Sequence, residues 1–329
     1  MTIVILIIFL ALVFDFYNGM NDAANSIATV VSTRVLSPFQ AVAWAAFFNF
    51  VAAFAFGVGV ATTIGKGIVD VNIVDNFVIF SGIVGAIILT ATATHAGIPV
   101  SVSHAIIGGY GGAAIIKGGI HALILTGYAK VFLFIFLAPI IGMVVSLIFS
   151  VVTMWVVKDL PVRTVDKYFR RLQLVSAALY SLSHGSNDAQ KTIGIITIVL
   201  FTNQLLGETF YVPFWVIILS HSVIALGTLM GGWKVIKTLG MRVTKLNPFG
   251  GFSAETSAGL TIIGATIFGI PVSTTHTITG AIIGYGSTKG FSAVKWGVAR
   301  NILWAWVLTI PLSAVFAMIT YILVTYLFN

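Results

Sequence analysis

Two short motifs each occur twice, and both are built from side chains that hold ions rather than break bonds. The segment NGMNDA at residues 18–23 returns as HGSNDA at residues 184–189. The segment GIPVSVSH at residues 97–104 returns as GIPVSTTH at residues 269–276. In the first pair, Asp22 and Asp188 offer anionic oxygen, and Asn21, Asn25 and Asn187 offer carbonyl oxygen, the donors a hard cation takes. In the second pair, Ser101, Ser103, Ser273, Thr274 and Thr275 follow a Gly-Ile-Pro break. Hydroxyls there cap a helix start, whose free N–H groups suit an oxyanion. Val102 as a backbone donor, with His104, His276, Gln190 and Asn25, completes the set expected to bind the oxyanion. Carboxylates next to an anion repel it, so the set requires a cation between them. Na+ fits these donors, with H+ as the alternative. No Arg lies in the motifs, and Lys191 alone adds positive charge.

The elements that carry these residues belong to a membrane. Of 329 residues, 58% are hydrophobic and 8% charged, against about 25% charged in a soluble domain. Apolar stretches of spanning length recur, as at residues 120–157 and 211–233. The first, residues 2–14, has neither a basic flank nor a small-residue cleavage site, and reads as part of the mature fold. The net charge of +8 sits in short connectors, which is membrane topology and not a nucleic-acid footprint. With no cysteine and no GxxxxGK[ST] loop, thiolate metal sites and ATP hydrolysis within the chain are both excluded. No cofactor is expected beyond the coupling ion.

The motif copies keep their order at offsets of 166 and 172 residues, so the chain is a duplication. The expected division is a first transmembrane repeat at 1–157, a basic cytoplasmic linker at 158–171 and a second, inverted repeat at 172–329. Connector charges carry the inversion. The linker holds Lys158, Arg163, Lys167, Arg170 and Arg171, and the later connector holds Lys234, Lys237, Arg242 and Lys245, so both read as internal. The connectors with Glu208, and with Lys66, Asp70 and Asp75, read as external, and both termini then lie outside. Residues 2–33 are too long for one straight span, and a break near Asn18 and Gly19 would resolve this. Each Pro-Val-Ser motif is expected at the tip of a re-entrant hairpin or between a pair of spans. The expected fold is therefore all-α and polytopic, with two inverted-topology repeats and broken helices or re-entrant hairpins at the midplane.

Plainer readings stand beside these. An Asn-Asp pair can simply cap a helix, and membrane Ser and Thr often serve as packing glue. His104 and His276 can be packed neutral rings. Glu255 is an interfacial residue, a cation ligand or a gate, and Asp15 has no counterpart in the second half. Intramembrane ionisable residues are functional by default, which favours the ion-site reading for Asp22 and Asp188. Other classes remain as rivals: an intramembrane metal enzyme using His184, Asp188 and His276, or a passive channel.

With both motif pairs in view, the chain resembles the PiT family of inorganic phosphate transporters nearly end to end. The resemblance implies symport of inorganic phosphate with Na+ or H+ at a site between the repeats, in the plasma (inner) membrane. It implies that Asn21, Asp22, Asn187 and Asp188 serve ion and substrate binding, and that the hydroxyl clusters from Ser101 and Ser273 contact phosphate. Many members carry an acidic residue where this chain has Asn49, and the short linker fits a prokaryotic-type protein. Similar sequences carry sulfate, so a sulfate or proton-coupled permease is the nearest alternative. A homodimer is the base-rate expectation among transporters.

Overall fold

Capping residues punctuate the apolar runs and set the helix starts. The computed structural model describes residues 1–236 and 244–328. Among these the structure is helical, apart from one isolated bridge between Val69 and Leu123. The first half runs through α1 (Thr2–Ser32), α2 (Pro38–Val51), α3 (Gly59–Lys66), α4 (Asn76–Ala96), α5 (Val102–Gly118) and α6 (Leu125–Val157). The second runs through α7 (Val162–Thr202), α8 (Phe214–Met230), α9 (Pro248–Ile267), α10 (Thr274–Ser287) and α11 (Trp296–Phe328). Ser37 and Gln40 form a capping box on α2, Asp75 caps α4, and Asn247 caps α9 ahead of Pro248. Lys237 and Arg242, two of the residues that assign the connector before α9 to the inside, lie outside the described residues.

Among the described residues α1, α4, α6 and α11 are long and apolar enough to cross a membrane, and α2 with α3 forms a further pair bent by 82°. α6 and α11 leave Phe132, Phe136, Ile140, Leu303, Trp304 and Leu308 exposed, a surface that suits lipid and not water. The chain is an integral membrane protein.

The expected break near Asn18 and Gly19 does not occur. α1 continues through both, and its 31 residues extend about 46 Å. Asn21 and Asn25 bond Thr94 and Thr275 on facing helices from a backbone that stays closed. Gly19 instead permits close approach: a Cβ there would collide with the backbone of α8 at Ile224, and one at Gly185 with α2 at Asn49. The expected linker is also largely helical. α7 begins at Val162 and runs 41 residues without interruption, with Arg170 bonded to Asp166 one turn earlier at 2.8 Å.

Each Pro-Val-Ser motif is the tip of a helical hairpin. α4 ends at Gly97, whose φ of +74° turns the chain back, and Ser101 caps α5. α9 is followed by Gly269, with φ of +65°, and Ser273 caps α10. α10 has 14 residues, about 21 Å, too short to cross a bilayer core of about 30 Å.

The halves interlock. α6 of the first half packs on α9 and α10, while α11 of the second packs on α4 and α5. Gly280 receives the backbone of Pro139, and its repeat partner Gly108 receives that of Ile310. At the centre α1 and α7 run antiparallel. Thr33 meets Gln173 at 2.8 Å, Asp22 meets His184 at 3.8 Å, and Asp15 faces Thr192. Equivalent helices of opposite direction agree with the inversion inferred from connector charge.

Candidate functional site

The two antiparallel helices and the two hairpin tips enclose one polar centre inside an apolar body. The residues singled out in both motif pairs are all at most 3% exposed. Burying this many polar groups is tolerated only when they satisfy one another or hold a ligand.

Both N-cap predictions hold. Ser101 Oγ accepts from the His104 N–H and Ser273 Oγ from the His276 N–H, each at 3.3 Å. Each cap takes one of the N–H groups that a helix start leaves without a partner inside the helix. Ser103 Oγ crosses to the Val272 carbonyl at 3.0 Å, which ties the α5 start to the other tip.

The two carboxylates meet on the α10 start. Thr274 Oγ1 lies 3.1 Å from Asp188 Oδ2 and 3.4 Å from Asp22 Oδ2, so one hydroxyl proton is shared between them. Thr275 Oγ1 accepts from Asn25 Nδ2 at 2.9 Å and lies 3.3 Å from Asp22 Oδ1. His184 Nε2 sits 3.0 Å from Asp188 Oδ2, and its Nδ1 is held by Asn49 Oδ1 at 3.2 Å. Lys191 Nζ donates to Asp188 Oδ1 and lies 3.3 Å from the Val272 carbonyl. Asp22, His184 and Asp188 each offer an atom within 4.8 Å of the others.

The copies are equivalent in frame and different in charge. Asn21 Nδ2 donates to Thr94 Oγ1, and Asn187 Nδ2 to Thr266 Oγ1, both at 2.9 Å. Asn21 Oδ1 and Asn25 Oδ1 have no hydrogen-bond partner, whereas Asn187 Oδ1 takes the Val272 N–H at 3.3 Å. Lys191 occupies the position that Asn25 has in the first copy, and His184 that of Asn18. The first copy thus keeps free oxygen beside Asp22, and the second surrounds Asp188 with basic nitrogen.

Four expected site residues are placed differently. Glu255 does not join the carboxylate pair: Thr29 Oγ1 at 2.5 Å, Gln173 Nε2 at 3.1 Å and Ser176 Oγ bond it instead. Ser176 precedes Asp188 by 12 residues on α7, about 18 Å of helix, so Glu255 forms a separate node. Gln190 Oε1 accepts from Val60 N at 2.9 Å and Ala61 N at 3.2 Å, at the start of α3, which gives it a helix-holding role. His104 and His276 pack as rings, 4.7 Å apart at 79°, with His276 stacked on Trp306 at 3.7 Å. Among the described residues the group that could hold a metal is Asp22, His184 and Asp188, without the His276 of the enzyme rival.

Sequence reasoning passed over Thr94 and Thr266, although both stand three residues before the tip glycine and so carry the repeat signal. It also passed over Thr29, Gln173 and Ser176, which lack any repeat partner of like type.

Comparison with known proteins identifies the family. The profile described as "Phosphate transporter family" covers residues 18–317. A protein of Rhizobium meliloti (strain 1021), named "Probable low-affinity inorganic phosphate transporter", is 53% identical over 96% of this chain and 94% of its own. One of the same name from Bacillus subtilis (strain 168) is 43% identical over 98% of each. The solved structure of "The sodium-dependent phosphate transporter" superposes with a TM-score of 0.89 at 27% identity, covering 99% of this chain and 100% of that one. These relatives are named as transporters and not as enzymes. By its fold, its paired motifs and the family profile that spans most of its length, the chain belongs to the phosphate transporter family.

Proposed function

We propose that this protein imports inorganic phosphate by symport with Na+, with alternating access at a site between two inverted repeats. The observation that carries the reading is the meeting of Asp22 and Asp188, from different repeats, on the hydroxyl of Thr274. The site is thus made by both halves, and relative motion of the halves opens or closes it.

The chemistry divides between the copies. Na+ is held by Asp22 with the free carbonyl oxygens of Asn21 and Asn25. Asp188, already bonded to Lys191 and His184, takes part through those groups, so Lys191 serves as a tethered cation in the second copy. Phosphate lies between the α5 and α10 starts, on Ser101, Val102, Ser103, Ser273, Thr274 and Thr275. The Na+ charge and Lys191 offset the repulsion between phosphate and carboxylates at short range. The sodium-dependent relative supports the choice of ion. The same reading puts both termini outside the plasma membrane and the turn before α7 in the cytoplasm.

The test is uptake of labelled phosphate into liposomes holding the purified protein, under a Na+ gradient and separately under a pH gradient. Accumulation driven by Na+ is expected. Accumulation driven by the pH gradient alone replaces Na+ by H+, and accumulation of sulfate instead replaces the substrate.

A further inference from the structure

Outside the Asp22–Asp188 centre, a second group of polar side chains is buried without close hydrogen bonds. Asp15, Asn18 and Thr192 are each at most 1% exposed. Asp15 interacts with the side chains of Asn18 and Thr192, but no hydrogen bond of 3.5 Å or less reaches Asp15 Oδ1, Asp15 Oδ2, Asn18 Oδ1, Asn18 Nδ2 or Thr192 Oγ1. Glu255 shows the contrast. It is as deeply buried, and three side chains from α1 and α7 bond its two oxygens. The burial of Glu255 is thus compensated by hydrogen bonds. A carboxylate left without close hydrogen bonds in the interior carries a heavy desolvation cost unless something binds it.

The position of the group is informative. Asp15, Asn18, Asp22, Asn25 and Thr29 follow a spacing of three and four, so they form one stripe along α1. Asp15 precedes Asp22 by seven residues, about 10 Å along the axis, and Asn18 lies between them. Thr192 follows Lys191 on α7, on the far side of the centre from Gln173 and Ser176. The stripe therefore runs from Asp15 through the Asp22 centre to Glu255, with oxygen that lacks close hydrogen bonds at the Asp15 end.

We propose that Asp15, Asn18 and Thr192 form a second Na+ site, placed on the outer side of the Asp22 centre. Four oxygens are supplied: both of Asp15, the amide oxygen of Asn18 and the hydroxyl of Thr192. All are hard donors, and one negative charge among them matches one monovalent cation. The assignment rests on the sodium-coupled reading for the identity of its ion. It binds Na+ in the absence of phosphate, because no element of either hairpin tip takes part, and it delivers the ion along Asn18 toward Asp22.

The experiment is equilibrium binding of radioactive Na+ to the purified full chain without phosphate, together with the Na+-induced shift in melting temperature. Asp15→Asn and the near-isosteric Thr192→Val are each expected to bind one Na+ fewer per chain than the wild type, or to need at least about tenfold more Na+ for half of the shift. Asp22→Asn is expected to keep this ion. Wild-type binding in both Asp15→Asn and Thr192→Val overturns the site and leaves water or a proton as its filling. A wild type that binds no Na+ also overturns it. Na+ binding that depends on Asp15 in a protein unable to carry phosphate upholds the site while removing the transport reading.

Discussion

Ser103 and Thr275 are repeat-equivalent residues, and each reaches the backbone carbonyl of the valine in the opposite hairpin tip. Ser103 Oγ lies 3.0 Å from the Val272 carbonyl, and Thr275 Oγ1 lies 3.5 Å from that of Val100. The reciprocal contacts bring the two tips face to face. The bonds are unequal because Thr275 is also engaged by Asp22 and Asn25, whereas Ser103 has no such competitor. Ser103→Ala is expected to cost about 1 kcal/mol of stability. Thr275→Val is expected to cost more and to weaken Na+-dependent phosphate binding as well, since it also frees Asp22. Thermal melting with titration of phosphate separates the two effects.

Asp22→Asn and Asp188→Asn are each expected to abolish phosphate accumulation in proteoliposomes while the protein stays monodisperse. Thr274→Val removes the one hydroxyl shared by both carboxylates. A hydrogen bond to a charged group contributes about 1.5–3 kcal/mol, so a drop in uptake of at least about tenfold is expected. Uptake at the wild-type rate in a folded Asp22→Asn protein would remove that carboxylate from the mechanism.

Lys191→Asn makes the second motif copy resemble the first. If Lys191 is a tethered cation, its removal leaves Asp188 to recruit one from solution. The variant is expected to bind one more Na+ per chain than the wild type and to show a steeper dependence of uptake on Na+. Lys191→Arg is expected to keep the wild-type count. An unchanged count in Lys191→Asn would show that the ammonium group does not stand in for an ion.

Glu255→Gln keeps the size of the side chain but removes its charge from the Thr29, Gln173 and Ser176 node. That node lies about 18 Å along α7 from Asp188. The variant is therefore expected to slow uptake while leaving Na+-dependent phosphate binding by the purified protein within about twofold of wild type, a change below about 0.5 kcal/mol. Loss of binding would bring Glu255 into the central site.

Gly19→Ala and Gly185→Ala each place a methyl group against the backbone of a neighbouring helix. Overpacking of this kind costs about 1–3 kcal/mol. Both are expected to lower the melting temperature, and by similar amounts, because the two positions are repeat equivalents.

The sequence by itself determined the membrane class and the all-helical fold, and it marked the paired motifs whose residues the structure gathers at one centre. Each of these is local or periodic: apolar length, motif spacing, connector charge and donor type are visible without coordinates. The N-cap roles of Ser101 and Ser273 were legible for the same reason, since a cap bonds three residues away along the chain. Only the tertiary structure decided which polar groups share a partner. Thr274 joins two carboxylates from helices 166 residues apart in sequence, and Glu255 leaves the ion set for Thr29 and Ser176. The continuity of α1 through Asn18 and Gly19 was likewise hidden, because the close packing of Gly19 on Ile224 joins segments far apart in sequence. Pairing between distant segments depends on how they pack, and a linear pattern carries no record of which face meets which.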